Sequence, residues 1–563
     1  MADLDSAFEK TAEFGRYQIL FLSLLCVMTC FQDSYCNLSW IFMMYTPDHK
    51  CHLSTKFVAN YTDLGFAVEA AQCSIKLRHN LTLREQEMHC VDGWDYEEGV
   101  FGNSLISRWD LVCDKAIYAK TAIAVSGAVT IFGCMFLSWV MDQFGRKVAF
   151  YTILILYVCG SFFSLFAPNL VIYTLIRAVA SVTAISSWNV GYIWGQEIVG
   201  PSKRTLTSTI YCVFYAAGTV SIGGLAYLCQ DWKNFGLIIS LPFLVQLGFY
   251  WFLLESPRWL LGKGNCEQAR MNFQTIMKRN GINLSEASVY RLFSGNATSS
   301  KKADLPDKKP NVLDLFRGRQ LRWKTLLMTA IWIGNALVYF AIAYNTENVN
   351  VNFYAMYALQ GAMEAPANFI NLAILNRVGR IFVIFSAMVI GGVCCLLTTI
   401  ASLPSSLVMI FALVGKLGIC CSYIGIYQVA CELYPTVVRG VGNGFSSVIG
   451  EMTKVIMPYV VHSASLYASL PMLIMGTLSI FCGSLSLFLP ETLGLHMAQT
   501  LEEAETHGKV GMPALKSHWE RLKRGCRCVK NCSVVSTNSD SEENSKDTEC
   551  RNELLAAALP SNV

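Results

Sequence analysis

An all-α membrane protein of twelve spanning helices, in two pseudo-symmetric halves of six, is the fold class this sequence predicts. Three observations carry the expectation. Of 563 residues, 53% are hydrophobic and only 15% charged, whereas a soluble domain carries about a quarter charged residues. The apolar residues gather into runs of about 20, each long enough to cross roughly 30 Å of hydrocarbon; 326–343 and 472–489 are two of them. Short charged motifs in the first half of the chain also recur in the second at a nearly constant step.

Spans are expected near 18–40, 121–141, 148–167, 170–195, 206–228, 234–254, 323–344, 352–375, 380–400, 404–430, 441–462 and 466–489. Lys and Arg in the short loops set the orientation. One set of loops holds Arg146, Lys147, Lys203, Arg204, Arg377, Arg380 and Arg439, and the opposite set holds Lys233 alone. The first set is therefore expected in the cytosol, with both termini. The polar N-terminus, 1–17, leads straight into a span that is expected to act as its own insertion signal. The first half covers 18–254 and includes a long outer loop, 42–120. A basic linker, 255–322, has a periodic helical stretch around 266–278. The second half covers 323–489, and a hydrophilic tail, 490–563, is expected to be largely disordered, its 533–549 stretch being rich in Ser, Asn and acids.

Most of the 22 cysteines lie in apolar spans, where small polarisable packing residues are the plain reading. Four others, Cys51, Cys73, Cys90 and Cys113, share the outer loop with the sequons at Asn60 and Asn80. Cysteines and sequons together make that loop extracellular and oxidised. Four cysteines allow three pairings, and the residues alone leave all three open. Sequons at Asn283, Asn296 and Asn531 fall on the cytosolic side and are expected to be idle.

The repeats define the halves. Asp142-Gln-Phe-Gly-Arg-Lys meets Asn376-Arg-Val-Gly-Arg, with Gly145 to Gly379 and Arg146 to Arg380 both a step of 234. Glu197 and Pro201-Ser-Lys-Arg204 recur as Glu432 and Pro435-Thr-Val-Val-Arg439, and Glu255-Ser-Pro-Arg258 is echoed at Glu491, 236 further on. Paired six-helix halves are how secondary transporters build a site that opens alternately to either side.

These motifs resemble the organic ion transporter branch of the major facilitator superfamily, solute carrier family twenty-two. The resemblance runs across nearly the whole chain. Its landmarks are Thr46-Pro-Asp-His-Lys-Cys51, Asp92-Gly-Trp94, Trp109-Asp-Leu-Val-Cys113, Glu197 to Arg204, Glu255 to Leu260, Glu432 to Arg439 and Leu489 to Gly494. It implies the major facilitator fold and a plasma-membrane carrier for organic cations, anions or zwitterions. It also implies an interleaved pairing, Cys51–Cys90 and Cys73–Cys113. Two departures, Ser138 in place of a usual Gly and Asn376 in place of a usual acid, would weaken the lock that closes the inner side.

Three groups of residues carry candidate chemistry. Asp142, Arg146, Lys147, Glu197, Arg204, Glu255 and Arg258, with Asn376, Arg377, Arg380, Glu432, Arg439 and Glu491 in the second half, are candidates for an inner gate. Topology alone needs only Lys and Arg, so the acids favour pairing over plain topogenic charge. Among aromatics, Trp188 and Tyr192 share a helix face, as do Trp332 and Tyr339, and Tyr211, Tyr215 and Tyr354 join them. Such stripes alone read as packing or lipid belt. The resemblance implies that Trp188, Tyr192, Trp332 and Tyr339 line the cavity, where ring faces attract cations by up to about 2 kcal/mol when desolvated. Charges in hydrocarbon cost several kcal/mol and are functional candidates by default. They are Asp33, Arg177, Glu364, Lys416, Glu451 and Lys454, and for the last two a mutual ion pair is the plain reading. Glu451 lies seven residues before Pro458. There the resemblance implies an acid in cation carriers and Arg in anion and carnitine-type carriers.

Catalysis finds no support. His49, His52, His79 and His89 fall in the outer loop, and neither a phosphate-cradling glycine loop nor a metal-ligand Cys/His spacing occurs. No cofactor, metal or enzyme activity is expected, and a net charge of +4 leaves no nucleic-acid footprint. The expected partners are a small organic ion and the lipid bilayer. The tail adds candidate palmitoylation cysteines, Cys526, Cys528 and Cys532, and an ending, Ser561-Asn562-Val563, of the kind that adds a strand to a PDZ domain. The leading reading is a potential-driven organic cation carrier. The alternatives are a carrier of zwitterions or anions, which Lys416 and Lys454 would serve, and a transport-poor receptor that uses the outer loop.

Overall fold

The computed structural model describes residues 14–64, 66–79, 85–97, 101–283, 312–344, 352–400, 403–435, 438–493, 501–506 and 510–516, with a few isolated positions. The expectations for Asn80, the Asn376 side chain, Cys526, Cys528, Cys532 and Ser561 to Val563 lie outside the described residues.

Helix occupies every expected span. The first five are Arg16–Met43, Ala116–Phe144, Arg146–Ser164, the pair Leu170–Ser181 and Ala184–Ile198, and Arg204–Cys229. The sixth begins as Trp232–Ile238 and continues as a 3₁₀ segment, Leu241–Phe249, with a proline at its start. The seventh is Arg319–Tyr344, the eighth is Phe353–Ala362 then Glu364–Val378, the ninth Arg380–Leu397 and the tenth Ser405–Leu433. The eleventh is Arg439–Glu451 then Thr453–His462, and the twelfth is Leu470–Ser486.

Among the described residues, nine helices are long and apolar enough to cross a membrane. The other three spans are the eighth and eleventh, each broken, and the shorter twelfth. Proline explains the break in the eighth span: Pro366 has no N–H to offer the Ala362 carbonyl. In the eleventh, Pro458 lies inside the second piece, six residues past the break at Met452. Both breaks also carry charge, buried Glu364 in one and half-buried Glu451 with buried Lys454 in the other. Large apolar side chains on the outside, such as Phe132 at 74% and Trp251 at 80% exposed, suit a hydrocarbon rather than an aqueous surround.

The chain forms two compact units. One comprises Met1–Lys301 with Asn352–Gly361, and the other Lys302–Val351 with Ala362–Val563. The first piece of the eighth span groups with the first unit. Its rings explain why: Phe353 and Tyr357 meet Phe42 at 5.5 and 4.8 Å, and Tyr354 meets Tyr227 at 5.4 Å. In the linker, Pro257–Gly262 and Cys266–Arg279 are helical. The second of these ends at Asn280, which accepts the Tyr17 N–H at 2.8 Å and ties the start of the first span to the linker.

The loop after the first span is a small domain of its own. Strand β1 (His49–Cys51) pairs antiparallel with β5 (Trp94–Tyr96), and β2 (Phe66–Ala70), β3 (Ile75–His79) and β4 (Glu85–Met88) form a three-stranded meander. Cys51, Ile75 and Leu77 are buried against Phe57, Tyr61 and Val68. Such a core is too small to hold alone, and two cross-links, Cys51–Cys90 and Cys73–Cys113, close it. Asn60 lies exposed on the helix Thr55–Asp63.

Candidate functional site

The repeated motifs fold into the same construction twice. Gly145, at φ +106°, turns the chain from the second span into the third, and Gly379, at φ +113°, turns it from the eighth into the ninth. Side chains rarely adopt that backbone, and a carboxylate fills the space a Cβ would need, Glu255 at Gly145 and Glu491 at Gly379. Each carboxylate caps the helix that follows. Glu255 accepts the backbone N–H groups of Arg146 and Lys147 at 3.0 and 3.1 Å. Glu491 accepts those of Arg380 and Ile381 at 2.8 and 3.3 Å. An acid at a helix N-terminus is favoured by the unpaired N–H groups and the dipole. Burial pushes the Glu255 carboxyl up from its ordinary value, while those N–H groups and Arg146 pull it down.

Arginine completes each cluster. Arg146 meets Glu197 at 2.8 Å and Asp142 at 3.3 Å. Arg380 meets Glu432 at 2.8 Å. The guanidinium of Arg258 donates to the Glu197 and Val199 carbonyls at 3.0 and 3.3 Å. Lys147 lies 3.8 Å over the Tyr250 ring, and Arg439 donates to the Tyr434 carbonyl at 3.4 Å. Arg204 is half-buried and Arg377 exposed. The acids of the 197 and 432 motifs thus pair with arginines of the neighbouring turn.

The aromatics form one cluster per unit. In the first, Trp188 meets Tyr211 at 4.9 Å, Tyr215 at 5.4 Å and Tyr192 at 6.3 Å. Cys26 and Cys30 pack behind them, and the Tyr211 hydroxyl pairs with Thr29. In the second, Trp332 meets Tyr423 at 5.4 Å and Tyr427 at 4.6 Å, and Tyr339 meets Tyr423 at 5.4 Å. Tyr211 and Trp332 are fully buried and act as struts, whereas Trp188, Tyr192, Tyr215, Tyr423 and Tyr427 are only half-buried. Tyr354 belongs elsewhere, stacked on Phe42 at 6.3 Å. Tyr423 and Tyr427 were not read from the sequence, yet a signal was there. They stand 235 positions after Trp188 and Tyr192, the same step as from Glu197 to Glu432.

The charges within the spans are partnered. Glu451 meets Lys454 at 2.6 Å and accepts the Tyr423 hydroxyl at 3.4 Å. Lys454 also lies 4.6 Å over the Phe340 ring. Glu364 meets Lys416 at 3.6 Å and accepts the Tyr339 hydroxyl at 2.5 Å. Lys416 rests 3.3 Å over the Tyr339 ring. In the first unit, Asp33 accepts from Asn37 at 2.8 Å. Arg177 donates to Ser161 at 2.9 Å and Ser39 at 2.6 Å, with Trp40 at 5.9 Å. In the outer loop, His49 lies beside Cys73 and Cys113, but the disulfide consumes both thiols and leaves no thiolate to hold a metal.

A bundle of apolar helices with duplicated gate-like ion pairs and buried charges beside aromatic clusters defines a solute carrier. The model of the sugar (and other) transporter family matches residues 94–506. Among curated relatives, a Drosophila melanogaster organic cation transporter protein is 30% identical, over 90% of this chain and 96% of its own length. A beta-alanine transporter of the same organism is 29% identical over 89% of each chain. The human organic cation/carnitine transporter 2 is 26% identical over 93% of this chain and 98% of its own. Among solved structures, the inward-open xylose transporter XylE from E. coli superposes with a TM-score of 0.58 at 13% identity, over 87% of this chain and all of that one. The chain belongs to the sugar (and other) transporter family of the major facilitator superfamily, with the organic cation transporters among its relatives.

Proposed function

We propose that this chain carries small organic cations across the plasma membrane by alternating access, with both termini in the cytosol and the inside-negative potential as driving force. The observation that supports this most is the repeated aromatic pair, Trp188 with Tyr192 and Tyr423 with Tyr427, half-buried and, in the second unit, beside the half-buried carboxylate of Glu451. A ring face and a carboxylate in a partly dry wall both attract an ammonium group. In the second unit Glu451 and Glu364 with Tyr423 and Tyr427 would offer one substrate-facing wall, and in the first unit Asp33 with Trp188 and Tyr192 would offer another. The Arg146–Glu197 and Arg380–Glu432 clusters would close the inner side and part when it opens.

A second reading has its own observation. Lys454 lies 2.6 Å from Glu451, so the wall offers an acid and a base side by side, which suits a zwitterion with ammonium and carboxylate ends. The relatives include both an organic cation transporter and an organic cation/carnitine transporter. Uptake of radiolabelled tetraethylammonium, carnitine and p-aminohippurate by cells expressing the protein separates the readings. Saturable uptake of the first supports cations, of the second zwitterions, and of the third alone neither.

A further inference from the structure

We propose that Glu364 is a proton-binding site that links transport to pH, with Lys416 and Tyr339 as its switch. The inference rests on the cation reading for the sign of its effect on transport, while the proton site itself is tested without substrate. Its basis is a buried network within the second unit. Glu364 and Lys416 are 6% and 2% exposed, and their charged atoms stand 3.6 Å apart, farther than a good charged hydrogen bond. Tyr339 serves both, donating its hydroxyl to Glu364 and its ring face to Lys416. The ring of Tyr339 then touches Tyr423, whose hydroxyl reaches Glu451, the partner of Lys454. Two acids and two lysines are thus bridged by two tyrosines, and their formal charges cancel.

That balance is what makes one proton consequential. A carboxylate in a dry interior is held ionised only by its partners, and this one has a loosely placed ammonium and one phenol. A proton from water on Glu364 neutralises the carboxylate and leaves the ammonium of Lys416 without its counter-charge. The network then carries a net positive charge next to Glu451. An organic cation is repelled from a protonated network and accepted by the deprotonated one, so proton and cation oppose each other. A carboxylate-bearing zwitterion would show the opposite sign, because the released Lys416 could take its carboxylate.

Among the described residues, the titratable groups around Glu364 are these. The tenth span presents Lys416, Cys420 and Cys421; Cys420 lies within electrostatic reach of both members of the pair, and the Cys421 thiol meets the Ala367 carbonyl at 3.8 Å. The seventh presents Tyr339. The titratable residues of the ninth are Cys394, Cys395 and Arg380, and Arg380 is engaged by Glu432. Glu364 shares its own helix with Arg377, at the far end. The outer loop carries histidines as well, so the test must separate them from Glu364.

Tetraethylammonium uptake should be measured in acidic and alkaline medium, per molecule of surface-biotinylated protein. A several-fold fall in acid is expected for the wild type. E364Q should take up the cation slowly with no pH dependence. E364Q/K416Q should be equally flat but faster, because the stranded ammonium has gone. To separate a folding defect in E364Q from the loss of a proton site, the purified proteins should also be titrated by infrared difference spectroscopy, which needs no substrate. The wild type should gain a protonated-carboxyl carbonyl band in acid that E364Q lacks. If the wild type takes up no tetraethylammonium but shows this band, the cation reading fails and the proton site stands. A wild-type pH profile kept by E364Q, or an acid band unchanged in E364Q, overturns the proposal.

Discussion

Breaking the Arg146–Glu197 pair tests the gate most sharply. The two charges are 2.8 Å apart, with side chains 11% and 16% exposed. At an effective dielectric of about 20 their attraction is roughly 6 kcal/mol. Part of this offsets the desolvation of both ions, and removing one partner of such a pair costs about 3–5 kcal/mol, because the other stays buried and unpaired. If the pair exists in the inward-closed state alone, Arg146→Met shifts the conformational balance by a large share of that, and about 1.4 kcal/mol is already tenfold. The assay is a double-mutant cycle of Arg146→Met and Glu197→Gln, read as initial uptake per surface molecule. Each single change is expected to slow uptake about tenfold or more, and the double no further than the worse single, a coupling of at least about 1.4 kcal/mol. The repeat-related pair, Arg380 with Glu432 at 2.8 Å, should behave alike. Effects that add independently within about 0.5 kcal/mol would refute the pairing as a transport element.

Three further outcomes are expected. Arg204→Ala and Arg439→Ala should slow transport at nearly normal surface expression; unchanged turnover would make both merely topogenic. Asn60→Gln should increase gel mobility, as glycosidase treatment of the wild type should, and no change in either would contradict an extracellular loop. Uptake of a monovalent cation should fall when external potassium depolarises the cell, since each charge gains about 2.3 kcal/mol per 100 mV; uptake that ignores potential but needs sodium would contradict a uniport.

The spans and the repeat were legible because hydrocarbon thickness dictates run length, and because duplicated turns need the same Gly, Arg and Glu. The helix breaks in the eighth and eleventh spans were less so. Hydropathy averages over about one span, and a proline such as Pro366 acts on a single turn. Glu451 with Lys454 was legible, being one turn apart. Glu364 with Lys416 was not, because the pair joins different helices and depends on their packing. The burial of Trp332 and Tyr211 also escaped periodicity, which places two rings on one face but cannot say that other rings cover them. Tyr423 and Tyr427 show what the repeat still held: the step that maps Glu197 to Glu432 maps Trp188 and Tyr192 onto them.

The central claim is that a carboxylate at position 451, set among aromatic rings, selects a cation. The most direct measurement is radiolabelled tetraethylammonium uptake by the wild type, Glu451→Gln and Lys454→Ala, each normalised to protein at the cell surface. The wild type should show saturable uptake, Glu451→Gln should lose it, and Lys454→Ala, where the carboxylate survives, should keep most of it. Normal cation uptake by Glu451→Gln, or a wild type that takes up only anions, would contradict it.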